Sequence, residues 1–349
     1  MLPGRLTRPP VCEGVFAMLV PELGSCRLLA GDSVTGVLMA VRAQRAVRVS
    51  RWAGAAVLAA CVALTVAAPS AAAGEAAARE TGAPGAGART SAGPSGVQAR
   101  AAAIAVASTG RVLWSRDLHT ELPMASITKV MTALVVIRAG DLSRKITVPS
   151  AVVAYVEEHD ASAAGLRPGD TLTASQLLEG LLLPSGADAA YTLASAYGPG
   201  LGTFIAKMNA TAKMLGMTRT HFSNFDGLPY PTGYSTYSTP ADLIKLGRVA
   251  MTSAVFRSIV DRRSYRIASG SGHHAYFWLN LNPLLGVYPG AIGIKTGYTP
   301  TAGHCLLFEA TRHGRTFIGV NLDSPGVGTT VNGADATRML NWAFSLPDY

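Results

Sequence analysis

The sequence predicts an α+β fold, an antiparallel five-stranded sheet beside a helical lobe, and three observations lead there. A hairpin pattern opens the folded part near residue 100, three strand-like runs close it after residue 290, and helix-period segments fill the interval. Strands divided between the two ends of a chain, around a helical insert, meet in one sheet with the insert packed beside it.

Before the first strand the chain has three parts. Residues 1–38 mix Pro, Gly, Cys and scattered apolar side chains without a sustained period, so they stay unassigned and predict no folded element, and Met39 is an alternative start. Arg42, Arg45, Arg48 and Arg51 then precede an apolar stretch from Ala53 to Ala68, with small residues up to Ala73. This pattern, over 39–73, is that of a secretory signal peptide, too short in its apolar part for a comfortable membrane span. Residues 74–97 are an Ala/Gly/Pro-rich tract with too few large apolar side chains to bury, expected to be a flexible linker.

The domain is expected over 98–349. Ala101 to Ala107 and Arg111 to Ser115, separated by Thr109-Gly110, form a hairpin. Pro123 precedes an apolar run free of Gly and Pro up to Gly140, which predicts a buried helix from about Ala125. Thr173 with Gln176 makes a capping box for a helix running up to Pro184; Asp188 to Tyr197 and Leu201 to Met217 are two more helices. Ser238 or Thr239 caps the next. Ala291 to Thr296, Gly303 to Thr311 and Arg315 to Leu322 are strands, the last two joined by a turn at His313-Gly314, and Met339 to Phe344 closes as a helix.

Cysteine usage agrees with export. Of Cys12, Cys26, Cys61 and Cys305, only Cys305 follows the predicted cleavage region, so no internal disulfide is expected in the mature part; its apolar surroundings mark it as a packing residue.

The chemistry is concentrated in Ser126-Ile127-Thr128-Lys129. Residues three apart share a helix face, so the Lys129 amine comes within reach of the Ser126 hydroxyl. A serine hydroxyl is a weak nucleophile, and a lysine at its usual pKa is protonated at neutral pH and cannot accept a proton. Burial lowers that pKa, and a second cation nearby would lower it further. Two later segments qualify as partners. Ser185-Gly186-Ala187 lies in a Pro/Gly break between helices, and Lys295-Thr296-Gly297 ends a β-branched run.

Ser-x-x-Lys, then Ser-Gly-x, then Lys-Thr-Gly, in this order, resembles the low-molecular-weight penicillin-binding proteins, the serine-type D-alanyl-D-alanine carboxypeptidases. The likeness covers roughly residues 98–349. It implies a β-lactamase/transpeptidase-like fold and an exported, extracytoplasmic enzyme of the cell envelope or a secreted one. Its partner would be a peptidoglycan stem peptide ending in D-Ala-D-Ala, and β-lactams would be inhibitors. By the resemblance Ser126 is the nucleophile, Lys129 its base and Ser185 a proton relay. Lys295, Thr296 and Gly297 bind substrate, and the backbone N–H groups of Ser126 and Tyr298 form the oxyanion hole. No cofactor or metal is implied, and no further C-terminal domain is expected.

Two departures from the family pattern stand out. The second motif usually ends in asparagine, where this chain has Ala187. The arginine that members often carry near the last helix falls on Thr330-Val331-Asn332-Gly333-Ala334, and Arg338 is out of step with it.

Other readings meet specific objections. A class A β-lactamase needs a glutamate to direct the deacylating water, and none lies between Glu179 and Glu309. A catalytically weak penicillin- or stem-peptide-binding protein would be favoured only by Ala187. The histidines are scattered without metal-ligand spacing. From residue 97 onward 21 Lys and Arg face 16 Asp and Glu with no basic stripe, which argues against a nucleic-acid partner. Membrane contact is expected only through an uncleaved signal peptide.

Overall fold

A computed structural model describes residues 93–326 and 330–347, all within the compact unit Gly82–Tyr349. The segment expected to be a signal peptide, 39–73, and the expected linker up to residue 92 lie outside the described residues. Val97 and Ala99 are already buried, and the Asp335 carboxylate accepts from Gln98 N at 2.9 Å and Ala99 N at 2.8 Å. The chain is therefore pinned to the domain from the end of the expected linker onward.

The five-stranded antiparallel sheet has the order β2-β1-β11-β10-β9, built from β1 (Ala101–Val106), β2 (Val112–Arg116), β9 (Ala291–Thr299), β10 (Gly303–Arg312) and β11 (Arg315–Ser324). Strands from the two ends of the chain meet where β1 pairs with β11, Ala103 opposite Val320. β1 is almost all alanine and fully buried up to Ala105. Small side chains on both faces let helices approach the sheet from either side. Alternate residues accordingly join two cores, Ala101, Ala103 and Ala105 on the helical-lobe face and Ala102 and Ile104 on the other. The second core is closed by α8 (Thr330–Ser345), so the predicted Met339–Phe344 helix is only the C-terminal part of a longer one.

Between β2 and β9 the elements run β3 (Leu122–Pro123), a 3₁₀ turn (Ala125–Ile127), α1 (Thr128–Ala139), β4 (Lys145–Thr147), α2 (Ala151–Glu158), β5 (Thr171–Thr173), α3 (Ala174–Leu182), α4 (Ala187–Tyr197) and α5 (Leu201–Met214). β6 (Tyr237–Ser238), α6 (Pro240–Thr252), α7 (Ala254–Val260), β7 (Ser264–Ile267) and β8 (Tyr276–Leu279) complete the lobe. α1 is its centre. Every residue from Thr128 to Val136 is buried, which explains why this run lacks an amphipathic period. α6 comes close to the sheet at Gly247, where a Cβ would lie 2.8 Å from Ile318 Cδ1.

The predicted capping box forms, with Gln176 N bonded to Thr173 Oγ1 and Thr173 N to Gln176 Oε1. His313 and Gly314, at φ 51° and 74°, make the predicted tight turn between β10 and β11. Ser238 does not cap; it belongs to β6, and Thr239 caps α6 by accepting from Asp242 N. The hairpin of β7 and β8 and the two-strand pairs β3–β6 and β4–β5 were not foreseen. Among the described residues no helix is long and apolar enough to cross a membrane.

Candidate active site

Ser126 lies in the 3₁₀ turn, two residues ahead of α1, instead of inside the expected helix. The helix cannot extend back past it because Ala125 has φ 47°, a left-handed conformation that costs an alanine about 1–2 kcal/mol. The turn still delivers the pair: Lys129, in the first turn of α1, brings Nζ to 3.0 Å from Ser126 Oγ. The same Nζ donates to Asp226 O at 3.1 Å, and Lys129 is buried at 1% exposure.

Burial lowers the pKa of Lys129, against the opposing pull of Asp226 and Asp188. The second cation, Lys295, shares a mutual repulsion with it. Lys295 is itself held well below the ordinary lysine range, first by burial and then by the charge of Lys129. Lys295 is 1% exposed, and its Nζ donates to Thr296 O at 3.0 Å.

Two loops hold this pair in register. Asn224 Oδ1 accepts from Gly227 N at 2.7 Å, Thr132 Oγ1 donates to Phe225 O, and Tyr155 OH donates to the Asp226 carboxylate at 2.9 Å. They fix the carbonyl that Lys129 contacts. Gly227, at φ +86°, lies against Ala125 O. On the opposite wall, Ser185 occupies the break between α3 and α4 at φ 66°. Its carbonyl accepts from Ser162 Oγ at 2.9 Å, and Ala187 N donates to Ser162 O at 2.8 Å. The Asp188 carboxylate binds Ala164 N and Leu166 N, fastening the 160–166 loop alongside. From outside, β8 braces that loop through Trp278 Nε1 to Ala164 O, 2.7 Å.

A cleft of about 210 Å³ joins the three motifs: Ser126, Ser185, Thr296, Gly297 and Tyr298 all line it. Gly297 is required by close approach, since a Cβ there would lie 2.8 Å from Met124 O and 3.0 Å from Ser126 N. Among the described residues no hydrogen bond links Ser185 Oγ to either lysine. Ser162, Leu281 and His304 also line the cleft, and the sequence reading missed them. The run Asp160-Ala161-Ser162-Ala163-Ala164-Gly165, small residues in a loop, was the available signal for Ser162. Cys305 is fully buried with its thiol pushed up to about 12 by burial, which suits packing and makes it a poor nucleophile. A hydroxyl beside a buried amine, in a cleft bordered by the edge strand β9, is equipped for acyl transfer.

Comparison with known proteins gives a consistent picture. The family model for D-alanyl-D-alanine carboxypeptidases, peptidase S11, matches residues 88–326. The D-alanyl-D-alanine carboxypeptidase of Streptomyces sp. strain K15 is 41% identical over 250 residues, covering 68% of this chain and 84% of the relative. The carboxypeptidase DacB2 of Mycobacterium tuberculosis is 40% identical over 246 residues, 70% of this chain and 81% of the relative. The crystal structure of the Streptomyces K15 DD-transpeptidase superposes with a TM-score of 0.68 at 40% identity, covering 72% of this chain and 98% of that one.

Proposed function

The chain belongs to the D-alanyl-D-alanine carboxypeptidase family of serine peptidases and is a DD-peptidase of peptidoglycan, and we propose that it is exported and penicillin-sensitive, working through an acyl-enzyme on Ser126. The observation that carries the site assignment is the 3.0 Å approach of a buried, charge-disfavoured Lys129 amine to Ser126 Oγ.

The neutral Lys129 amine takes the Ser126 hydroxyl proton as Oγ attacks the carbonyl carbon of the penultimate D-alanine. The oxyanion that forms is met by the N–H groups of Ser126 and Tyr298. Collapse breaks the C–N bond; the departing amine of the terminal D-alanine takes up a proton passed through Ser185, leaving an ester on Ser126. Water then adds to that ester and releases the shortened peptide, and an amine in its place completes a transpeptidation. Thr296 and Gly297 border the bound peptide. Lys295, buried behind Thr296, contributes to the field around the cleft. The segment 39–73 supplies export, and the tract 74–97 tethers the domain that follows.

The direction of the Lys129 shift sets the pH dependence. Only the neutral amine accepts a proton, so the acylation rate rises with pH as Lys129 deprotonates. Because its pKa is lowered, the plateau is reached below the ordinary lysine value of 10.5. A pH profile of acylation with a rising limb centred at 10.5 would show that the group accepting the proton is not held below the ordinary lysine value.

Ala187 is fully buried at the start of α4, directly after Ser185-Gly186. Where the family's asparagine donates an amide hydrogen bond, an alanine cannot. Ala187→Asn is expected to raise the acylation rate about 2- to 10-fold, the equivalent of one hydrogen bond. A rate that stays level or falls would mean the site is adapted to alanine.

The function is tested by incubating the mature domain with a diacylated tripeptide ending in D-Ala-D-Ala and assaying free D-alanine. Release that stops after penicillin treatment is the expected result. No release from a folded domain that is still acylated by penicillin would leave a binding protein.

A further inference from the structure

A peptide ending in D-Ala-D-Ala brings a carboxylate into the cleft, and a carboxylate stripped of water without a partner is costly. Two basic side chains noted in the sequence are already engaged with protein groups. Lys295 is enclosed, and its Nζ donates to Thr296 O at 3.0 Å. Arg338 is held by Asp335 at 3.1 Å, beside Gly96.

One ionisable side chain other than Tyr298 lines the cleft, and it is His304. It sits at the start of β10, paired in register with Tyr298 of β9. Directly paired residues point to the same face of a sheet, as do residues two apart, so His304, Tyr298 and Thr296 share one face at the cleft. The imidazole is packed under the Tyr298 ring, centroids 4.6 Å apart, and is only 8% exposed. Among the described residues no hydrogen bond engages its ring nitrogens. A largely buried imidazole that borders the cleft and makes no protein hydrogen bond among the described residues can offer a ring N–H to a bound ligand.

We propose that His304, together with the Thr296 hydroxyl, receives the C-terminal carboxylate of the substrate, the role left open by the missing arginine. This rests on the DD-peptidase reading above. In a penicillin, as in D-Ala-D-Ala, the carboxylate is borne by the carbon attached to the nitrogen of the scissile amide, so both ligands present it to the same place.

The test compares acylation by benzylpenicillin and by its methyl ester, which lacks the charge, followed by mass spectrometry on the parent, His304→Ala and His304→Gln. A hydrogen bond to a charged group implies about a 10- to 100-fold loss with the acid for His304→Ala. The ester rate should stay at the parent level, showing that the fold and Ser126 survive, and His304→Gln, which keeps a donor, should fall between. An unchanged acid rate in His304→Ala overturns the proposal. So does an equal loss of both arms in both variants, because His304 would then be structural. A parent acylated by neither compound sinks the DD-peptidase reading itself, and this proposal with it.

Discussion

Lys129→Met acylates Ser126 about 10²- to 10⁴-fold more slowly than the parent, the usual cost of removing a positioned base. Methionine keeps most of the volume of the lysine stem, so α1 stays packed, and the buried amine that loses hydration on folding is gone. The thermal midpoint should therefore hold or rise while acylation collapses. Stopped-flow or quenched labelling with a fluorescent penicillin reads the rate, and calorimetry reads the midpoint. A variant labelled at the parent rate would show that another group takes the serine proton.

Gly227→Ala is the strongest expected effect on stability. The residue is at φ +86°, and an added Cβ would lie 1.9 Å from Ala125 O and 2.7 Å from Thr128 Oγ1. The two nearest atoms, Ala125 O and C, are backbone, so turning a side chain cannot relieve the overlap. The left-handed conformation alone costs about 1–2 kcal/mol and the overlap about 1–3 more, so unfolding in urea should show a loss of about 2–5 kcal/mol. Because Ala125 leads directly into Ser126, acylation should weaken in the protein that remains folded. Unchanged stability and rate would mean that the 223–230 loop does not press on the nucleophile turn.

What the sequence made legible was what is local. The hairpin of β1 and β2, the Thr173 capping box and the His313-Gly314 turn depend on neighbouring residues, and each formed as read. The three motifs are short contiguous patterns, and the structure brings all three to one cleft.

Long-range packing was harder to read. Asp226 meets Lys129 across 97 positions, and Trp278 reaches Ala164 across 114, with nothing in either stretch to announce the other. β7 and β8 are four residues each, joined by eight, too short for a period to stand out. The 3₁₀ turn at Ser126 depends on a left-handed Ala125, a conformation that an alanine does not advertise. The lowered pKa of Lys129 was foreseen, and burial is its first cause. Asp226 and Asp188 oppose it, and the buried amines of Lys129 and Lys295 disfavour each other's charge.

The central claim is that Ser126 is the nucleophile, and the most direct measurement is mass spectrometry of the mature domain after incubation with penicillin, with peptide mapping of the adduct over time. The account predicts one acyl group, on Ser126, that persists long enough to be mapped. No adduct on a folded domain, or an adduct mapped to any other residue, would contradict it.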